Sequence, residues 1–254
     1  MILVYDGTFE GYLSVVFEVY NRKLEPTNIA SEKNLQETMF VEKEFIHSDA
    51  THCDRVWKGL QKKLSTEMNQ LPYSAWLSCE PGIEMALLHF IRMAFSSPVP
   101  IEGNFGDMDV LTVRKAARRV MKEAMRMLQF IRFQRTLDDI YFSAISPDYD
   151  VMPMTLKHLK ERFADQLWVV YDLKRDYGFF YNKETVEEIT LNEKSFSTVN
   201  GEVPLNLLQE DEAFYQTAWK GYCKNITIRE RLNLKLQKQH MPKRYWKFLP
   251  EKRI

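Results

Sequence analysis

Between Asp109 and Leu128 the chain carries a pattern that only one local structure satisfies. Val113, Ala117, Val120, Ala124 and Met127 fall on a single stripe at helical spacing, while Arg114, Lys115, Arg118, Arg119, Lys122 and Arg126 fall on the opposite half. A helix with those two faces buries one and leaves the other basic. Any fold for this chain is built around that requirement.

The 254 residues suffice for a substantial core, as one large domain or two small ones. Hydrophobic residues make up 45% of the chain and charged residues 28%, an ordinary globular composition. The most apolar stretch, Met85 to Phe95, contains His89 and Arg92 and falls well short of the roughly 20 apolar residues that span a bilayer. Met1 to Phe9 reaches Asp6 almost at once and has no basic start ahead of an apolar run, so no secretory leader is expected. Cys53, Cys79 and Cys223 are widely separated and form no CxxC pair, which fits a reducing cytoplasm better than a disulfide framework or a compact metal site. No membrane attachment and no bound cofactor are expected.

Lysine and arginine number 35 and so do aspartate and glutamate, but the zero balance hides segregation. Residues 219–254 hold eleven Lys or Arg against two Glu, and residues 109–135 hold eight against two acids. The rest of the chain is correspondingly acidic. Two concentrated basic segments point to anionic partners, either an external polyanion or the chain's own acidic regions.

Local signals outline an α+β fold, an antiparallel sheet packed with helices and ending in a basic helical tail. Ile2 to Tyr5 reads as a strand, Asp6-Gly7 as a turn, and Thr8 as the cap of a helix from Phe9 to Tyr20. A second strand is expected over Met39 to Ile46, a helix capped by Asp49 or Thr51 over Cys53 to Leu64, and another over Glu80 to Ala94. Residues 96–108, with Pro98, Pro100, Gly103 and Gly106, are the best place for an internal boundary in what is otherwise a single domain. Beyond the basic helix, Phe130 to Arg135 and Ile140 to Ile145 read as a hairpin turning at Asp138-Asp139. Thr155 is the expected cap of a short helix to Phe163, followed by strands Leu167 to Asp172 and Gly178 to Tyr181 that turn near Asp176. A helix is expected from Leu205 to Tyr222 carrying Phe214, Ala218 and Tyr222, and a basic helix to Gln239 that Pro242 stops.

No phosphate-binding loop, dinucleotide fingerprint, HExxH or GxSxG is present, so the common enzyme classes lack their usual signals. His47 and His52, beside Asp49 and Asp54, could hold a metal if their loop folded back, or form a solvated loop. Asp6 is either a strand-end carboxylate facing a ligand crevice or a turn former. His158 with Arg162, and Asp172 with Arg175, could supply a general acid, an anion clamp and an orienting carboxylate, or be ordinary surface pairs. The catalytic candidates are thus Asp6, His158 and Asp172. The cationic helix face, through Arg114, Arg118, Lys122 and Arg126, suits a phosphate backbone. In the tail, cations such as Arg229, Lys243 and Arg244 stand among Tyr245 and Trp246, a mixture that can stack bases and hold phosphates or simply dock on the core.

Three runs of residues occur together in order: Val4-Tyr5-Asp6-Gly7-Thr8-Phe9-Glu10-Gly11; Arg118-Arg119-Val120 through Glu123-Ala124-Met125-Arg126-Met127 to Phe130-Ile131-Arg132-Phe133; and Arg229-Glu230-Arg231-Leu232-Asn233 through Met241-Pro242-Lys243-Arg244-Tyr245-Trp246. In these the chain resembles the bacterial "probable DNA metabolism protein" family, a domain also found fused to uracil-DNA glycosylase-like domains. The resemblance implies a role in DNA metabolism or repair beside a radical S-adenosylmethionine protein, which would hold the iron-sulfur cluster. The 254 residues show no appended glycosylase domain beyond the basic tail, so any uracil-DNA glycosylase-like base-excision activity is expected to come in trans. The resemblance carries no established catalytic residues; Arg132, Arg162, Arg175 and Asn233 join the candidates above as motif positions. Three functions follow as expectations: a DNA-binding accessory protein, an enzyme with a pocket around Asp6, Arg132, His158 and Asp172, and a protein-only adaptor.

Overall fold

A computed structural model describes residues 1–35 and 42–253; the side chain of Arg229 lies outside the description. The expected strand over Met39 to Ile46 therefore falls partly outside the described residues. The chain divides into two compact units, residues 1–121 and 122–254, and the division lies inside a long helix downstream of the 96–108 loop.

The first unit opens with β1 (Ile2–Tyr5), whose side chains are all buried, and α1 (Phe9–Asn21). The Thr8 side chain caps α1 by accepting from the Gly11 amide, as the sequence predicts. Next come β2 (Asn28–Ser31), β3 (Lys43–Phe45), α2 (Ala50–Gln61), α3 (Leu71–Trp76), α4 (Ile83–Ser96) and α5 (Met108–Phe130). Asp49 caps α2 by accepting from the Thr51 and His52 amides. The sheet has the order β2-β1-β3 and is parallel throughout, with Val4 opposite Ala30 on one side and Phe45 on the other. Parallel pairing buries the middle strand on both faces, and Leu3 and Tyr5 join the α1, α2 and α4 side chains in one core. The polar stretch Arg22 to Gln36 gave no strand signal, yet it contains β2, because edge pairing uses backbone groups that composition does not report.

In the second unit, the end of α5 leads to β4 (Gln134–Arg135), β5 (Tyr141–Ile145), α6 (Met152–Arg162), β6 (Trp168–Asp172), β7 (Tyr177–Tyr181), β8 (Val186–Ile189), α7 (Glu212–Asn225) and α8 (Leu234–His240). The sheet order is β4-β5-β6-β7-β8. The β4–β5 and β6–β7 pairs are antiparallel as expected, with Asp139 and Asp176 in left-handed conformations at the turns, and β8, in a stretch with no clear signal in the sequence, adds a further antiparallel pair with β7. β5 and β6 are parallel, in register from Tyr141–Trp168 to Ile145–Asp172, so the sheet is mixed rather than antiparallel. The reason is the intervening α6, which returns the chain to the end from which it started. Three boundaries also differ. Phe130 continues the apolar stripe of α5, so the helix consumes the start of the expected strand. Pro153 sits in the first turn of α6, where its missing amide costs nothing, so Thr155 lies inside the helix and donates to the Met152 carbonyl instead of capping it. Leu205–Leu207 is a short 3₁₀ turn, and α7 starts only at Glu212. No helix among the described residues is long and apolar enough to cross a membrane.

Candidate functional site

Asp6 stands at the carboxyl end of β1, the middle strand of a parallel sheet whose neighbours lie on opposite sides. Crevices at such strand ends are where open α/β sheets place ligands. Its carboxylate is heavily occupied. Oδ1 accepts from the Thr8 amide at 2.9 Å and the Thr8 hydroxyl at 2.7 Å, and Oδ2 accepts from Ser48 beyond β3. Partial burial pushes this carboxyl up, but the hydrogen bonds from Ser48 and Thr8 outweigh it and hold it below the usual carboxylate range. Gly11 makes room for this clamp, since a Cβ there would sit 2.2 Å from Asp6 Oδ1. Asp6 thus ties the ends of β1 and β3 to the start of α1.

A cleft of about 470 Å³ lies beside β2, lined by Asn28, Asn34, Cys79, Glu80 and Glu84 among others. Behind it runs a relay: the Trp76 indole donates to the Tyr5 hydroxyl at 3.1 Å, and Tyr5 donates to Glu84 Oε1 at 3.5 Å. Burial pushes the Glu84 carboxyl up and, with Glu84's own charge, the Tyr5 phenol up as well. A group whose folded pKa is raised contributes stability that is full below its unfolded value and is lost as pH rises through the folded value. Glu84→Gln is therefore expected to raise the urea midpoint at pH 7 and leave it unchanged near pH 4, where wild-type Glu84 is already neutral. A lower midpoint at pH 7 would show that the charge is stabilising.

His52 stacks on Phe17 with ring centroids 3.8 Å apart, and His47 packs edge-on against Phe45. No group of three or more potential ligands among the described residues could hold a metal ion.

Six cations line α5, and they divide into two sets. Arg114 donates to the Glu102 carbonyl at 2.5 Å and covers the Phe105 ring; Arg119 pairs with Glu80; Arg126 donates to the Gln239 carbonyl at 3.0 Å. Lys115, Arg118 and Lys122 are exposed and have no hydrogen bond or ion pair with the described residues. They recur at intervals of three and four, so they form one stripe along about 10 Å of helix. Arg114 and Arg126 are thereby committed to the chain itself.

In the second unit the remaining candidates occupy separate settings. Asp172 is fully buried at the end of β6 and accepts from Arg175 at 2.9 Å; burial pushes its carboxyl up against the opposing pull of that guanidinium. Arg175 also donates to the Asp148 carbonyl. Arg132 donates to Glu251 at 2.9 Å and lies over the Trp219 ring. His158 and Arg162 are exposed on α6, with Arg162 over Phe163. No hydrogen bond or ion pair among the described residues joins Arg132, His158 and Asp172; Asp6 belongs to the first unit. Asn233 caps α8 by accepting from the Leu236 amide.

The tail residues part company. Lys243 is exposed, whereas the Tyr245 ring is 2% exposed and its hydroxyl donates to Glu123. A ring so enclosed cannot stack a base, which corrects the expectation for Tyr245; the hydroxyl finds a carboxylate and the ring gains a core position beside Phe130. Arg244 bridges Glu123 at 3.2 Å and Asp148 at 2.8 Å. Trp246 is partly buried, donates to the Met241 carbonyl and lies under Lys252.

Two features escaped sequence reasoning. Glu123 sits on the basic helix but is 1% exposed; a lone acid among six cations, one helical turn from Val120 and Met127, was its signal. On α7, Tyr215 and Trp219 stand four apart, a spacing that marks an aromatic stripe. A family model described as a domain of unknown function, DUF4130, matches residues 81–251. No curated protein and no solved structure matches the chain.

Proposed function

Taking as premise that the chain belongs to the DUF4130 family of domains of unknown function, we propose that it is an accessory protein that binds DNA in DNA metabolism or repair. The observation that carries this reading is the stripe of Lys115, Arg118 and Lys122, three exposed cations without partners among the described residues, on a helix whose other cations are all engaged. Like charges at such spacing repel and cost stability unless an anion lies against them. A row of phosphates is the natural occupant, and exposed Lys243 adds a further contact in the tail. The family resemblance supports the same direction and adds a radical S-adenosylmethionine protein as the companion enzyme that would act on the DNA.

The test is fluorescence anisotropy of a labelled duplex across a salt series. Binding is expected to weaken steeply with salt, and changing Lys115, Arg118 and Lys122 together to Ala is expected to flatten the log–log slope by about 2 to 3, one counterion per lost phosphate contact. Absence of binding at low salt, or a triple variant with the wild-type slope, would overturn the reading and leave a protein-only adaptor.

A further inference from the structure

α7 is a helix that buries almost nothing. Of its 14 residues only Glu212, at the start, is buried. Phe214, Tyr215, Trp219 and Tyr222 are 69, 59, 37 and 54% exposed. A helix this short is marginal in water by itself, and apolar rings left in solvent add nothing to hold it. Such a face is explained by something that covers it.

The chemistry of the face narrows what that is. α7 has no Leu, Ile, Val or Met, so every large apolar side chain on it is aromatic. Residues 213–229 contain no Asp or Glu, while Lys220 and Lys224 are exposed among the rings. Trp219 and Tyr222 are stacked, with centroids 5.6 Å apart and planes 28° from parallel. Trp219 is also pinned: its indole donates to Glu251 at 3.0 Å, and Arg132, held by the other Glu251 oxygen, lies 5.2 Å from the ring centroid. Trp219, and with it the stacked Tyr222 ring, is thus held before any ligand arrives.

We propose that the aromatic face of α7 is a stacking platform for single-stranded nucleic acid, with Tyr215 and Tyr222 receiving bases and Lys220 and Lys224 holding the phosphates. Planar π-faces interleaved with cations match a ligand that is planar and anionic along its length. A second copy of the chain would bring the same cations face to face, which charge repulsion opposes. The inference rests on the nucleic-acid reading above but uses none of the α5 side chains.

The experiment compares three labelled probes by anisotropy: a 20-nucleotide oligo(dT), the same length of strand with every base removed, and a duplex. Wild-type protein is expected to bind oligo(dT) more tightly than the abasic strand. Tyr215→Ala and Tyr222→Ala are each expected to lower oligo(dT) affinity about tenfold and leave abasic and duplex affinities unchanged, with Tyr222→Phe retaining wild-type binding. Both tyrosines are exposed, and circular dichroism checks that the fold is kept. If the abasic strand binds as tightly as oligo(dT), or the Ala variants bind oligo(dT) as wild type does, the platform is refuted and α7 is a docking face for an acidic protein. Loss of duplex binding in the α5 triple variant with ring-dependent oligo(dT) binding intact supports both assignments. Ring-dependent oligo(dT) binding without any duplex binding removes the α5 reading alone.

Discussion

Glu123→Ala is expected to cost about 3–4 kcal/mol, because a buried carboxylate that gathers several hydrogen bonds is lost and a cavity is left behind. Its carboxylate is 1% exposed and serves four donors within the second unit: the Asp148 and Tyr149 amides at 3.0 and 2.9 Å, the Tyr245 hydroxyl and Arg244. The substitution leaves a cavity and takes an acceptor from two backbone amides and from the buried Tyr245 hydroxyl, a loss that carries a desolvation cost. Tyr245→Phe removes a single donor and leaves the ring in place, so it is expected to cost about 1 kcal/mol. Urea unfolding followed by circular dichroism reads both. A loss below about 1 kcal/mol for Glu123→Ala would mean that the hub is not a keystone of the second unit.

Gly201→Ala comes next, at about 3 kcal/mol or more, as left-handed backbone strain and overpacking add. Gly201 has φ +71°, and a Cβ there would meet the Ala144 Cβ at 2.4 Å. The position matters because the Gly201 carbonyl accepts from Gln134 Nε2 at 2.8 Å, while Gln134 Oε1 accepts from the Val203 amide. That buried amide side chain staples the segment after β8 to the edge of the sheet. The segment lines an apolar cleft of about 460 Å³ with Phe142, Val169, Phe196 and Val203. Adding Ala144→Gly relieves the clash but not the strain, so the double variant is expected to recover about half of the loss. Thermal melts of the three proteins check this. A neutral single substitution would show that the segment is free to shift.

Much of the fold was legible wherever a local rule sufficed. Thr8 and Asp49 announced their helices because capping is a contest settled within four residues. Asp139 and Asp176 announced their turns because aspartate tolerates the left-handed conformation that tight turns need. The two faces of α5 followed from periodicity alone. The parallel β5–β6 pair did not, although the strand, helix and strand that compose it were all expected; direction is a property of the return path, which no single segment encodes.

The candidate sites were legible in the same uneven way. Composition and spacing marked α5 and the tail as basic, since charge is a property of residues wherever they sit. Which cations stay available was beyond reach, because Arg119 is taken by Glu80 and Arg244 by Glu123, partners 39 and 121 positions away in the chain. The same holds for the rings: Tyr245 and Tyr222 look alike in sequence, set among lysines and arginines, yet one is enclosed and the other open. Periodicity, caps and net charge are additive over neighbours and were determined by the sequence itself. Burial and pairing depend on which distant groups converge, and that only the tertiary structure decided.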